Sequence, residues 1–275
     1  MDPTGATTAA TDTWDPGLYL KFGAERARPF FDLLELVTPV PGGEVVDLGC
    51  GAGELTAHLH THTRARRTVG IDSSRAMLAE ARRHAGDGLT FELGDIAAFE
   101  AGARFDVVLS NAALHWVPDH PQLLARLRAA LRPGGQLAVQ VPANGDHPSH
   151  ALVTEIAEES PFREAIEDAT ARSGRDSPAA VLTTRQYAEL LDELGFVEQH
   201  ARSQVYGHHL ASTADVVEWT KGTTLTCYER LLPGELFEAF VTRYRRRLLD
   251  VVGEHEPYFY AFKRILFRGR LPDAS

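Results

Sequence analysis

Residues 44–56 read EVVDLGCGAGELT. A short apolar run through Val45, Val46 and Leu48 ends in three glycines at alternate positions, Gly49, Gly51 and Gly53. Helical patterning resumes at Glu54. A buried strand that turns through glycines into a helix is the opening unit of a parallel α/β sheet. Glycines in such a turn tolerate left-handed backbone and let the chain come close to a neighbour or a ligand.

Downstream, the rhythm repeats. Strand-like runs at 68–72, 89–93, 105–110 and 136–141 alternate with helix-like segments at 54–63, 75–85 and 120–131. Ser73 or Ser74 can cap the second of these helices, because a hydroxyl accepts from an orphan N–H there. Pro133–Gly135 punctuates the end of the third. Upstream, helical patterning covers about 17–37, and 1–13 reads as a disordered polar tail. Beyond Pro142 the pattern changes to helix at 149–173, loop at 174–182 and helix at 184–194. Strand candidates follow at 196–208 and 258–269, separated by helices at about 214–231 and 235–252.

The implied organisation is a tail at 1–13, an N-terminal helical lid at 14–43 and an α/β core at 44–142. A helical insertion at 143–182, a core continuation at 183–212, a second helical insertion at 213–253 and a last strand with tail at 254–275 complete it. The fold class is α/β, Rossmann-like, with helices on both sheet faces and an inserted helical lobe over the site.

Composition narrows the function. The 275 residues carry 28 Lys and Arg against 38 Asp and Glu, a formal charge of −10. That balance suits nucleic-acid phosphates poorly. Two cysteines are too few for a disulfide framework and fit a reducing cytosol. No leader pattern and no bilayer-length apolar run is seen, so the expectation is a cytoplasmic protein without a membrane partner. Its oligomeric state is not readable. No metal site is expected: His58 and His62 lack the zinc-protease glutamate, and His208 and His209 point to opposite sides of a strand. The basic run 244–249 is followed by Asp250, Glu254 and Glu256 and reads as a helix face.

Three ligands compete for the glycine loop. A P-loop needs Lys after its last glycine, and Glu54 stands there. A dinucleotide loop spaces its glycines G-x-G-x-x-G, whereas this one is G-x-G-x-G, and Asp47 and Glu54 would repel a pyrophosphate. S-adenosyl-L-methionine, which becomes S-adenosyl-L-homocysteine on losing its methyl, is a cationic alternative. Asp47 can pair with its ammonium, and the loop N–H groups can receive its carboxylate. Asp72 is placed for the ribose hydroxyls, Asp95 for the adenine amine, and Met77 and Ile96 for the ring. Each residue also has a plainer reading, the glycines as a tight turn and the aspartates as helix caps.

The pieces VVDLGCGAG, GIDSS, GDIAAF, FDVVLSNAALHWV and LRPGGQLAVQVP together resemble class I S-adenosylmethionine-dependent methyltransferases over 44–142. That resemblance implies a seven-stranded sheet with an antiparallel last strand, and adds Ser73 and Asn111 to the cofactor contacts. WDPGLYLKFGAERARPFFDLL at 14–34, NAALHWVPDH at 111–120, LAVQVPAN at 137–144 and VVEWTKGTTL at 216–225 resemble, more narrowly, trans-aconitate methyltransferases. Those enzymes esterify one carboxylate of a small polycarboxylate. A carboxylate is already ionised at neutral pH and needs no base.

Within the matched segments, Lys21, Arg26, Arg28, His115, Trp116, Asn144, Trp219 and Lys221 are candidate acceptor contacts. Tyr19 and Phe22 are candidates for a lid over the cofactor, although Tyr19 could face the acceptor. His115 and Trp116 are placed at the chemistry, His115 as donor to a carboxylate or as base for another acceptor, Trp116 as a wall. The alternatives are a methyltransferase for a phenol, amine or natural product with His115 as base, a nicotinamide dehydrogenase, and a non-catalytic cofactor-binding protein.

Overall fold

A computed structural model describes residues 23–173 and 181–274. The expected tail at 1–13, most of the loop at 174–182, and Tyr19, Lys21 and Phe22 lie outside the described residues.

The first described helix, α1 (Gly23–Leu34), precedes strand β1 (Glu44–Leu48). Helix α2 (Glu54–Thr63), β2 (Arg67–Asp72), α3 (Arg75–Ala81) and β3 (Leu89–Leu93) follow. Then come β4 (Phe105–Asn111), α4 (His120–Ala129) and β5 (Leu131–Pro142). Helices α5 (Pro148–Ala157), α6 (Phe162–Ser173) and α7 (Thr184–Glu193) lead to β6 (Val197–Leu210). Helices α8 (Asp215–Lys221), α9 (Leu225–Leu231) and α10 (Gly234–Val252) precede the last strand, β7 (Tyr258–Arg270).

The seven strands form one sheet in the order β3-β2-β1-β4-β5-β7-β6. Pairing is parallel except at β7, which runs antiparallel to both β5 and β6. The chain leaves β1 toward one edge and returns at β4 to build the other, so the switch point lies between these two strands, where open sheets bind ligands. On one face, Phe30, Leu33 and Leu34 of α1 and Leu59 of α2 pack on Val45, Val107, Leu109, Ala138 and Leu266. On the other, Leu123, Leu124 and Leu127 of α4 and Tyr187, Leu190 and Leu191 of α7 cover Val46, Val108, Leu137, Val139 and Phe267. A third cluster joins α5, α6, α8, α9 and α10 through Trp219, Phe240 and Tyr244 to Tyr260 and Phe262 of β7. The lobe is thereby packed against the core through β7 itself.

Local chemistry explains where elements differ from the periodicity. The segment 149–173 divides into two helices at Pro161, which has no N–H to continue the ladder. The segment 214–231 divides beyond Lys221, whose helix ends at Gly222. Ser74, rather than Ser73, caps α3, its hydroxyl accepting from Met77 N–H at 3.1 Å. Thr183 and Gln186 form a reciprocal capping box that starts α7.

The three loop glycines have different reasons to be glycine. All have positive φ, +80° at Gly49, +54° at Gly51 and +82° at Gly53. A Cβ on Gly49 would lie 2.2 Å from Ala113 Cβ, and one on Gly53 would lie 2.8 Å from both Ala81 Cβ and Phe91 Cζ. One on Gly51 would meet nothing within 4 Å. Gly49→Ala is therefore expected to cost about 2–5 kcal/mol in denaturant unfolding, from left-handed strain and overpacking together. Gly51→Ala should cost about 1–2 kcal/mol, from the backbone alone. Equal losses at both positions would contradict this division.

Candidate functional site

A cavity of about 1210 Å³ opens at the carboxyl ends of β1, β4 and β5. The loop 49–54 forms one wall, and the turn after β4, residues 111–116, forms another. Residues 142–146 after β5, parts of α5, α8 and α9, and residues 262–265 of β7 close the far end.

The loop is held from behind. Asp72, at the end of β2, accepts from Gly51 N–H at 2.9 Å and from Ser74 N–H at 2.8 Å. One carboxylate thus ties the loop to the start of α3. Asp47 is 3% exposed and faces the cavity, accepting from the Thr56 hydroxyl at 2.6 Å. Burial pushes its pKa up to about 7; the Thr56 bond opposes that shift and the nearby Asp72 charge adds to it.

The turn after β4 carries two unsatisfied groups. Asn111 Oδ1 and His115 Nδ1 are buried without hydrogen-bond partners among the described residues. The turn is braced by His120, whose ring contacts Leu114 O at 3.1 Å and Tyr187 Oη at 2.6 Å. The His115 pKa falls to about 3, first through burial and then through the charges of Arg264, His120 and His150. The imidazole is neutral across the physiological range and a poor base, but it can still donate a hydrogen bond. Trp116 packs beside it with ring centroids 4.6 Å apart.

At the far end, Asn144 accepts from Lys263 N–H at 2.9 Å and approaches Tyr260 Oη at 3.5 Å. Trp219, 1% exposed, stands edge-on to Tyr260 and against Phe262 and His208, and lines the cavity. The lobe does reach the site.

Of the sequence candidates, Asp47, Gly49, Gly51, Gly53, Asn111, His115, Trp116, Asn144 and Trp219 line the cavity. Asp72 stands behind the loop, and Ile96 lies 3.5 Å from the space a Gly49 Cβ would take. Met77 is buried in α3, Ser73 is exposed, and Asp95 is exposed and caps a short helical turn through Ala97 N–H at 2.8 Å. Of the acceptor candidates, two are not brought to the cavity. Lys221 pairs with Glu218 at 3.5 Å, and Arg28 is exposed on α1. Arg26 lies in the first turns of α1.

Among the cavity residues that the sequence reading did not single out are Arg264 and His150. Arg264, 5% exposed, sits on β7, and His150 sits on α5. Arg264 shares the buried alternation of Tyr260, Phe262 and Leu266. A charge at an inward strand position was the available signal. Among the described residues no group of three or more His, Cys, Asp or Glu could hold a metal ion, and no helix is long and apolar enough to cross a membrane.

Residues 45–135 match the methyltransferase domain family. The chain is 45% identical to the trans-aconitate 2-methyltransferase of Deinococcus radiodurans, over 95% of this chain and 99% of that one. Among solved structures it is similar to the YcgJ protein of Bacillus subtilis, with a TM-score of 0.58 at 13% identity over 90% of this chain and 100% of that one. It is also similar to phosphoethanolamine N-methyltransferase 2 of Haemonchus contortus, solved with S-adenosyl-L-methionine. There the TM-score is 0.52 at 16% identity over 90% of this chain and 53% of that one. These two likenesses concern the fold.

The Asp47 carboxyl makes a stability prediction. Its folded pKa, about 7, lies above its ordinary 3.8. Its favourable contribution is therefore complete below about pH 4 and is lost as pH rises to about 7. In ligand-free protein, Asp47→Asn is expected to raise Tm more at pH 8 than at pH 5, because the penalty grows from about pH 4 to about pH 7. A lower Tm at pH 8 would show that the buried carboxylate is stabilising instead.

Proposed function

We propose that this chain, which belongs to the family of trans-aconitate 2-methyltransferases and is an S-adenosylmethionine-dependent methyltransferase, esterifies one carboxylate of trans-aconitate. The observation that carries this reading is the 45% identity to such an enzyme along essentially the whole of both chains.

The cavity fits the donor at one end. Gly51 leaves its surroundings open where a side chain would intrude, Asn111 Oδ1 has no partner among the described residues, and Asp47 offers a buried carboxylate to a cation. In this reading Asp47 meets the ammonium, the loop N–H groups meet the carboxylate, and Asp72, Ser73, Met77, Asp95, Ile96 and Asn111 serve the ribose and adenine. When bound, the donor supplies a sulfonium methyl group, which a carboxylate oxygen accepts as the carbon–sulfur electron pair moves to sulfur.

The protein's own contribution is alignment and exclusion of water. His115 donates to the acceptor and holds it beside Trp116. The rival role for His115, a general base for a phenol or amine, agrees poorly with an imidazole whose pKa is about 3 and whose Nδ1 has no orienting carboxylate among the described residues.

Mass spectrometry of a reaction with methyl-labelled donor is expected to detect labelled monomethyl trans-aconitate; donor binding without any labelled acid would remove the proposed acceptor. With both substrates saturating, kcat should be flat from about pH 6 to about pH 9, because the acceptor is ionised and His115 does not titrate there. Asp47→Asn should weaken donor binding on the order of tenfold to a hundredfold by calorimetry, the range for a hydrogen bond to a charged group. Unchanged affinity would take Asp47 out of the donor site.

A further inference from the structure

The α5 wall of the cavity carries a histidine whose back is held by buried hydroxyls. His150 lines the cavity and stands edge-on to Phe262 of β7, with ring centroids 5.7 Å apart. Its Nδ1 lies 2.9 Å from Ser149 Oγ, and Ser149 is fully buried. The same hydroxyl lies 2.9 Å from His147 Nδ1 and 2.8 Å from Tyr260 Oη. His150 Nε2 has no partner among the described residues, so it is the polar atom that the ring leaves for the cavity.

Proton counting decides what that atom can do. A hydroxyl has one proton to give and two lone pairs with which to receive. Asn144 Oδ1 is taken by Lys263 N–H at 2.9 Å, which turns its amide NH2 toward Tyr260 Oη at 3.5 Å. Tyr260 then gives its own proton to Ser149. His147 Nδ1 accepts from Ser149 N–H at 3.1 Å as the cap of α5, so its ring proton sits on Nε2, 3.4 Å from Tyr258 Oη. Two claimants remain for the Ser149 proton, His147 Nδ1 and His150 Nδ1. Given to His147, it requires His150 to be protonated at Nδ1, with a bare Nε2 lone pair for the cavity. Given to His150, it requires the other tautomer, with the ring proton on Nε2, and the cavity sees a donor. The two tautomers exchange through solvent and both are neutral. Burial pushes the His150 pKa down to about 4; the His147 charge adds to that shift and Asp146 opposes it.

We propose that His150 determines acceptor specificity: with the Ser149 proton on its Nδ1, its Nε2–H donates to a carboxylate of the acceptor other than the one methylated. This rests on the carboxylate-acceptor reading and deepens it, because His115 is already placed at the reacting carboxylate. An ionised carboxylate only accepts hydrogen bonds, so its arrival selects the donor tautomer. Ser149 is the positioning residue that acts through the ring. An acid with a single carboxylate cannot engage His150 while presenting its oxygen to the methyl.

One test reads the ring directly. Nitrogen NMR of the isotope-labelled full chain with S-adenosyl-L-homocysteine and trans-aconitate, a pair that cannot react, should show His150 as the neutral Nε2–H form, its signals assigned by their loss in His150→Gln. A ring protonated at Nδ1 alone, or at both nitrogens, would overturn the inference. The other test is kinetic. His150→Phe should lose about tenfold to a hundredfold in kcat/KM on trans-aconitate, mostly through KM, the range for one hydrogen bond to a charged group. His150→Gln, which restores an N–H donor, should recover all but about threefold to fivefold of that loss. Ser149→Ala should raise KM about threefold to tenfold with kcat unchanged. Mesaconate and glutaconate each lack one carboxylate of trans-aconitate. On one of them the His150→Phe loss should shrink below about threefold, because acid and variant then lack the same bond. With far-UV dichroism and donor binding unchanged, equal losses in the Phe and Gln variants, or on all three acids, would overturn the inference. If wild type methylates none of the acids, the carboxylate-acceptor reading falls and this inference with it; methylation with the wrong His150 tautomer removes this inference alone.

Discussion

The close contact between Gly49 and Ala113 is the constraint on which the rest of the site depends. It brings the end of β1 against the turn after β4 with no room for even a methyl group at Gly49. Those two strands flank the point where the sheet order reverses. Because the turns touch, the groups they carry converge: Asp47 and the loop from one side, Asn111 and His115 from the other. Asp72 then fixes the loop at its outer edge by accepting from Gly51. Backbone packing, more than any single side-chain bond, assembles the site.

Burial does the electrostatic work. The cavity wall raises the Asp47 pKa and lowers that of His115, in both cases because a low-dielectric surround penalises the charged form. In the proposed function, a cationic donor would meet a carboxylate that becomes a better partner when a positive charge arrives. A neutral imidazole nearby can donate to an anion without taking part in proton transfer. A methyl transfer to an already ionised oxygen asks for this arrangement and for little else.

Individual residues show how far the sequence could be read. The run from Val45 to Gly53 announced strand, turn and helix through local pattern alone, and the structure has β1, the loop and α2 there. The seventh strand was expected antiparallel through resemblance, and β7 is so. Trp219, a candidate acceptor contact, lines the cavity because the lobe packs against β7. Lys221, two positions later, turns away to Glu218. Helical spacing puts residues two apart on different faces, but only packing decides which face looks inward. Arg264 was passed over because a strand's alternation does not say which of its faces meets a cavity.

What the sequence by itself determined is the order of elements, the sheet class and the chemical type of the glycine loop, since these follow from short-range periodicity and from charges adjacent in the chain. Tertiary structure decided which side chains share the cavity and which of the three glycines is held by packing. It also decided how far the Asp47 and His115 titrations move. Those properties depend on distances between residues remote in sequence, such as Gly49 and Ala113 or Gln140 and Arg264, and on burial, which no local pattern encodes.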